Sequence, residues 1–230
     1  MAEVKSAEQL REDYCRVLGP ELGDLFYALW NEVTWLEAKW QQYCQLYAAS
    51  AKRIELLNGS APFFFRVVQD VLWDDVILSI ARLTGPPRSM GKDNLTLLRL
   101  PALVDDVALG AELETALQET VAAAAFAKDW RNRRLAHRDL ALAIGQRVEP
   151  LTPASRTVVR EALSNMHRVF DLLQTRYFGS PIAWALISTP PGAEALLYRL
   201  TAAQLAEEKR FKRLREGKAL PDDLEEPDEI

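Results

Sequence analysis

Asp129-Trp130-Arg131-Asn132-Arg133-Arg134-Leu135-Ala136-His137-Arg138-Asp139 places one of the chain's two histidines inside a knot of arginines. An imidazole accepts or donates a proton near neutral pH. A guanidinium holds a phosphate through a planar fork of donors. Together they are the groups that phosphodiester chemistry without a metal requires. From Lys128 to Asp139 there are five basic and two acidic residues before His137 is counted. The whole chain is acidic, at −5, which argues against nonspecific clinging to nucleic acid. One basic cleft on an acidic protein suits selected RNA. The competing reading is a solvated helix face of arginines.

Geometry constrains the pairing. On an ideal helix two residues six apart differ by about 600° and face different ways. For Arg131 to meet His137 the helix must unwind near Leu135-Ala136. Otherwise Arg133 or Arg134, four and three residues before His137, share its face. The second histidine, His167, lies mid-helix with no similar company and reads as structural or exposed.

The elements that must position these residues are almost all helical. The first helix spans about Ala7–Val17 and stops at Gly19-Pro20. The second starts near Glu21, with Leu22, Phe26, Leu29, Val33, Leu36, Trp40, Tyr43 and Tyr47 in a seven-residue repeat that marks a seam against another helix. Trp30 and Trp35, off the seam, predict a second buried face. Asn58-Gly59-Ser60 with Pro62 breaks the chain. A third helix over 61–84 places Phe64, Val67, Val68, Val71, Leu72, Val76, Ile80 and Leu83 on one broad inward face. Gly85 to Gly91 reads as an exposed, mobile loop. A fourth helix, from about 101 or 110 to Ala127, delivers Asp129-Trp130-Arg131. Residues 140–152 read as a loop. A fifth helix spans Pro153–Tyr177 with Val158, Ala162, Met166, Val169, Phe170 and Leu173 inward, and a last helix spans about Gly192–Glu216. The tail from Pro221 carries six acids. No strand or internal repeat is read.

The spacing Arg131-Asn132, then His137, resembles the signature of the HEPN superfamily: Arg, a polar residue, and His after four to six residues. Asn31-Glu32-Val33-Thr34-Trp35-Leu36-Glu37-Ala38-Lys39-Trp40, Glu55-Leu56-Leu57-Asn58, Phe63-Phe64 through Gln69, Leu72-Trp73-Asp74-Asp75 and Ala81-Arg82-Leu83-Thr84 are similar to the abortive-infection protein U branch (its second component). The resemblance covers roughly residues 14–175. It implies an all-α, HEPN-like up-and-down bundle of five or six main helices over residues 1–180. A helical appendage at 181–217 and a disordered acidic tail at 218–230 are read beside it.

The resemblance also implies a metal-independent endoribonuclease of toxin or phage-defence type, acting as a homodimer with both motifs lining one cleft. In that reading His137 moves protons at the ribose 2′-hydroxyl or the leaving oxygen. Arg131 stabilises charge on the phosphoryl oxygens, and Asn132 holds the phosphate or sets the turn. Asp139 orients the imidazole, with Arg134 and Arg138 as helpers. Arg82, at the end of an apolar helix, is a further supporting residue. A pairing of Glu32 or Asp75 with Arg82 or Arg131 is the expected support, or else a salt bridge that ties helices. The alternative is a non-catalytic module that binds a nucleotide or a protein.

Other classes are disfavoured by what the chain lacks. There is no Gly-rich phosphate loop, no Gly-x-Ser-x-Gly elbow and no His-Glu-x-x-His. Two histidines with Cys15 and Cys44, far apart, argue against zinc, so no metal or cofactor is expected. The cysteines are expected to be reduced and packed. No apolar run reaches about 18 residues, and the N-terminus lacks a signal core, so the expected location is cytoplasmic with no membrane contact. The expected partners are RNA, a second copy and an antitoxin or regulatory protein, but not DNA.

Overall fold

Ser6 opens the first helix. A computed structural model describes residues 5–136, 139–146, 149–184 and 192–223. The Ser6 hydroxyl accepts from the Gln9 N–H at 3.2 Å and the Gln9 side chain accepts from the Ser6 N–H at 2.8 Å, a reciprocal cap for α1 (Ala7–Leu18). Pro20 starts α2 (Pro20–Tyr47), where a missing N–H costs nothing. At Gly23 a Cβ would lie 2.5 Å from the Cys15 Cα, so only glycine lets α1 and α2 approach this closely.

The remaining helices are α3 (Ala51–Ser60), α4 (Pro62–Leu83), α5 (Val107–Ala123), α6 (Ala125–Trp130), the short α7 (Leu140–Ala143), α8 (Arg156–Phe178) and α9 (Ala193–Arg215). The chain is all-α, as its patterning predicts. Six helices are long: α1, α2, α4, α5, α8 and α9. The one departure among the described residues is a hairpin of two-residue strands, β1 (Arg88–Ser89) and β2 (Lys92–Asp93), paired antiparallel. Strands this short carry no period for the sequence to display. No described helix is long and apolar enough to cross a membrane.

Contacts group the chain into two compact units, Met1–Trp40 with Leu72–Ser188, and Gln41–Val71 with Thr189–Ile230. In the first unit α5 packs along α8. Leu109, Leu113, Ala116 and Leu117 are buried on α5, and Ala162, Met166, Val169, Phe170 and Leu173 on α8. Asp106 caps α5 by accepting from Ala108 and Leu109 N–H at 3.0 and 3.1 Å, and Arg176 of α8 pairs with the same carboxylate. The predicted seam of α2 is buried from Leu22 to Trp40. Its Phe26 ring meets Phe170 at 5.2 Å and Tyr14 at 4.8 Å. Trp30 meets Phe170 edge-on and packs at a tilt against Trp184, but Trp35 is 61% exposed, so the second face of α2 is buried only in part.

His167 is structural. Its ring stacks on Trp184 at 3.8 Å, and its Nε2 lies 3.4 Å from a Glu37 carboxylate oxygen. Asp171 anchors the Trp184 strap by accepting from the Ile182 N–H and the Trp184 indole N–H, both at 3.0 Å.

In the second unit Ser50 caps α3, a helix the patterning does not separate from the break at Asn58-Gly59-Ser60. The Gln42 side chain accepts from the Ala193 N–H at 2.6 Å and so fixes the start of α9. Arg53 donates to the Gln45 carbonyl at 2.7 Å and to Glu194 at 2.8 Å. The expected apolar face of α4 is not inward here: Phe64, Val67 and Val71 are exposed, and Phe65 is buried. Along α9 only Ala193 and Leu197 are buried. The tail read as disordered is folded back as far as Asp223, where Arg213 of α9 and the Leu220 N–H satisfy its carboxylate. Residues 224–230 lie outside the described residues.

Candidate active site

Buried Phe126 and Ala127 anchor α6 and set the direction in which the next residues leave it. After Trp130 the helix widens. The Ala136 N–H donates to the Arg131 carbonyl at 2.8 Å, an i→i+5 bond, and Arg131–Leu135 form one π-turn. The Asp139 N–H then donates to the Arg133 carbonyl at 3.0 Å. Single π-turns inside α-helices are rare and concentrate at functional sites. Regular α geometry thus stops within the span that separates Arg131 from the histidine. His137 and Arg138 lie outside the described residues.

A staple holds this turn. The Asp129 carboxylate accepts from the Thr152 N–H at 2.8 Å, and the Trp130 indole N–H donates to the Thr152 carbonyl at 2.8 Å. Arg133 reaches the same strand of chain, donating to the Glu149 and Pro150 carbonyls, and contacts Asp129 at 3.5 Å. Burial pushes the Asp129 carboxyl up, but the Thr152 N–H and Arg133 pull it down further and leave it below its ordinary value. Arg133 is therefore occupied as a brace. Arg134 lies over the Trp130 ring, its guanidinium carbon 4.8 Å from the centroid. Asp139 caps α7, accepting from the Leu142 N–H at 3.2 Å, with Arg133 3.9 Å away.

Arg131 is different. Its guanidinium is half-buried and makes no ion pair or hydrogen bond among the described residues. It lines a cleft of about 510 Å³ together with Glu32 of α2, Leu78 and Arg82 of α4, and Ser89 and Asn94 of the hairpin. Glu32 likewise has no partner among the described residues, and Arg82 donates only to Ser79, at 3.2 Å. Two cations and two carboxylates thus line one cavity; Asp93 is taken up by Arg99, while Arg131, Arg82 and Glu32 keep most of their donors and acceptors unused among the described residues. That arrangement fits an anion flanked by a hydrogen-bonding group.

The hairpin wall of this cleft is tied down, in contrast to the mobile loop expected there. Arg99 donates to the Asn94 carbonyl at 2.7 Å and to the Pro87 carbonyl at 2.8 Å, and pairs with Asp93 at 2.7 Å. The buried Thr96 hydroxyl is 2.8 Å from both the Leu83 and Gly85 carbonyl oxygens and joins the end of α4 to the loop.

Of the residues singled out from sequence, Arg131, Arg82 and Glu32 come together in the cleft. Asn132 and Arg134 are exposed, and Asp139 is a helix cap, none of them in the cleft lining. Asp75 pairs with Lys39 rather than with Arg82 or Arg131. The Asp129–Thr152 staple is not foreseen in the sequence. Its one local signal is the spacing of Asp129 four residues before Arg133.

The family model described as AbiU2, a HEPN family, matches residues 19–196, more than three quarters of the chain. The chain belongs to this HEPN family. No curated protein and no solved structure matches it. The matched span contains the π-turn, the staple and every described residue of the cleft, and it ends four residues into α9. The chain therefore carries a HEPN module.

Proposed function

We propose that this HEPN protein is a metal-independent endoribonuclease of phage-defence, abortive-infection type. The observation that carries the reading is Arg131. Its guanidinium is unpaired among the described residues and sits on a π-turn, facing a cleft with Arg82 and Glu32, in a chain with the Arg131-Asn132…His137 motif.

The chemistry balances without a metal. The 2′-hydroxyl oxygen attacks the adjacent phosphorus, and the bond to the 5′-oxygen of the next nucleotide breaks. A 2′,3′-cyclic phosphate and a 5′-hydroxyl result. One imidazole takes the 2′-hydroxyl proton, and a second, protonated imidazole gives a proton to the leaving oxygen. Two copies of His137 across a two-fold axis of a homodimer supply both. Arg131 offsets charge on the non-bridging oxygens, and Arg82 holds a neighbouring phosphate. DNA lacks the attacking hydroxyl and is spared. Such an enzyme needs restraint, by an antitoxin or other regulatory partner or by a trigger during infection.

The test is cleavage of a mixed tRNA and mRNA pool in EDTA by wild type, Arg131→Ala and His137→Ala. Cyclic-phosphate ends from wild type and none from either variant are expected. Dependence on added metal, or equal cutting by the variants, overturns the mechanism. The exposed stripe of Phe63, Phe64, Val67 and Val71 favours, as a second reading, a module that binds protein.

A further inference from the structure

The last turns of α9, largely beyond the span matched by the family, concentrate positive charge. Lys209, Arg210, Lys212, Arg213, Arg215 and Lys218 face one acid, Glu216, in ten residues. Lys212 and Lys218 both reach Glu216, at 3.9 and 3.1 Å. Lys209 and Arg215 make no ion pair among the described residues. Phe211, among these cations, is 54% exposed.

A carboxylate from the chain's own tail already occupies this surface. Arg213 forks onto Asp223, its Nε donating at 2.7 Å and its Nη2 reaching the other oxygen. The Arg210 Nε donates to the Asp223 carbonyl at 2.7 Å, and the Leu220 N–H donates to the carboxylate at 2.9 Å. Asp223 is only 4% exposed. A planar guanidinium fork that binds a carboxylate in this way also binds a phosphate. On the helix Lys209, Arg210 and Arg213 share one face, while the exposed Phe211 ring lies on the opposite face with Arg215, four residues on. The sequence around Asp223 holds six acids among the eight residues Asp222 to Glu229, a charge mimic of a short polyphosphate strand.

We propose that the C-terminal end of α9 is a binding surface for single-stranded RNA, and that the acidic tail is its built-in competitor. The choice of RNA among polyanions rests on the ribonuclease reading. The competition between tail and polyanion does not. A tail that holds the arginines nine-tenths of the time weakens apparent affinity about tenfold. Each phosphate contact to a single strand adds about 0.7 to the slope of log affinity against log salt. Freeing Arg213 therefore steepens that slope by about 0.7.

The probe is a fluorescein-labelled 20-mer of 2′-O-methyluridine, followed by anisotropy. Its blocked 2′-oxygen cannot attack, so the result is independent of whether the protein cleaves RNA. Ending the chain at Leu220 is expected to tighten binding about tenfold and steepen the salt slope. Asp223→Asn in the full chain gives part of the gain, and Lys209→Gln with Arg213→Gln in the shortened chain removes it. Circular dichroism checks that helix content is unchanged, and Asp223→Asn alone decides the matter if the shortened chain misfolds. Unchanged affinity in both tail variants overturns the proposal, as does a gain that survives loss of Lys209 and Arg213. Equal affinity of the tail-less chain for polyglutamate and for the oligonucleotide would assign the surface to acidic peptides instead and also overturn it.

Discussion

Replacing Asp129 tests whether the arginine-bearing turn is held by its staple. In Asp129→Ala the Thr152 N–H loses an ionised acceptor at 2.8 Å, and Arg133 loses a contact at 3.5 Å. A hydrogen bond to a charged group contributes about 1.5–3 kcal/mol. The Asp129 and Arg133 side chains are 23% and 22% exposed, so solvent screens them only in part. Thr152 itself is exposed, and water recovers some of its loss, which places the cost near 2 kcal/mol. Asp129→Asn keeps the shape and a neutral acceptor of about half the strength, for a loss of about 1 kcal/mol. For a chain of this size each kcal/mol lowers Tm by about 2–4 °C, so calorimetry should show a fall of about 4–8 °C for the alanine variant. Hydrogen exchange at the Thr152 amide should speed up in step.

Acid supplies a second arm of the same test. The folded-state pKa of Asp129 lies below the ordinary aspartate value of 3.8. Its contribution is therefore complete above 3.8 and lost as pH falls through the lowered value. Wild type and Asp129→Ala should differ at neutral pH and converge on acidification. A Tm for Asp129→Ala within about 1 °C of wild type, or a gap that does not close in acid, refutes the reasoning.

Three further outcomes are expected. Thr96→Val removes the one hydroxyl proton that the Leu83 and Gly85 carbonyls share and should cost about 1–3 kcal/mol in urea unfolding, with faster exchange across the loop that follows α4. Gly23→Ala drives a methyl into the Cys15 backbone and should destabilise by at least about 1–3 kcal/mol, measured as a lowered denaturation midpoint. The Asp223 carboxyl, held down by Arg213 and by the Leu220 N–H to about 2, should titrate there by carbon NMR and return toward 3.8 in Arg213→Gln.

Long helices were the most readable part of the chain, because periodicity reports a face over many turns. Leu22 through Trp40 repeat every seven residues, and all of the seam positions among them are buried. Periodicity does not report what covers a face. Phe64, Val67 and Val71 carry the same signal as Val76 and Ile80, yet the first three are exposed and the last two buried. The cleft was legible at Arg131 because of its motif. At Arg82 and Glu32 the clue was charge interrupting apolar helices. Asp75 carried the same clue and pairs with Lys39, since sequence cannot rank partners that only packing brings near. The π-turn left no mark in composition: Arg, Asn and Leu serve an i→i+5 bond as readily as an i→i+4 bond. The brace role of Arg133 was hidden because its partners are backbone carbonyls, which any residue offers.

A turn closed from Arg131 to Ala136 contains one residue more than an α-turn. Extra length enters a helix there without shifting the register of what lies before it. Phe126 and Ala127 keep their buried seats while the residues past the turn are re-aimed by a fraction of a rotation. The widened turn thus acts as a length adjuster. Removing one residue from Arg131–Leu135 would let the helix relax to ordinary winding with little loss of stability, and would re-aim every later residue relative to Arg131. Selection on foldedness alone would not preserve such a turn.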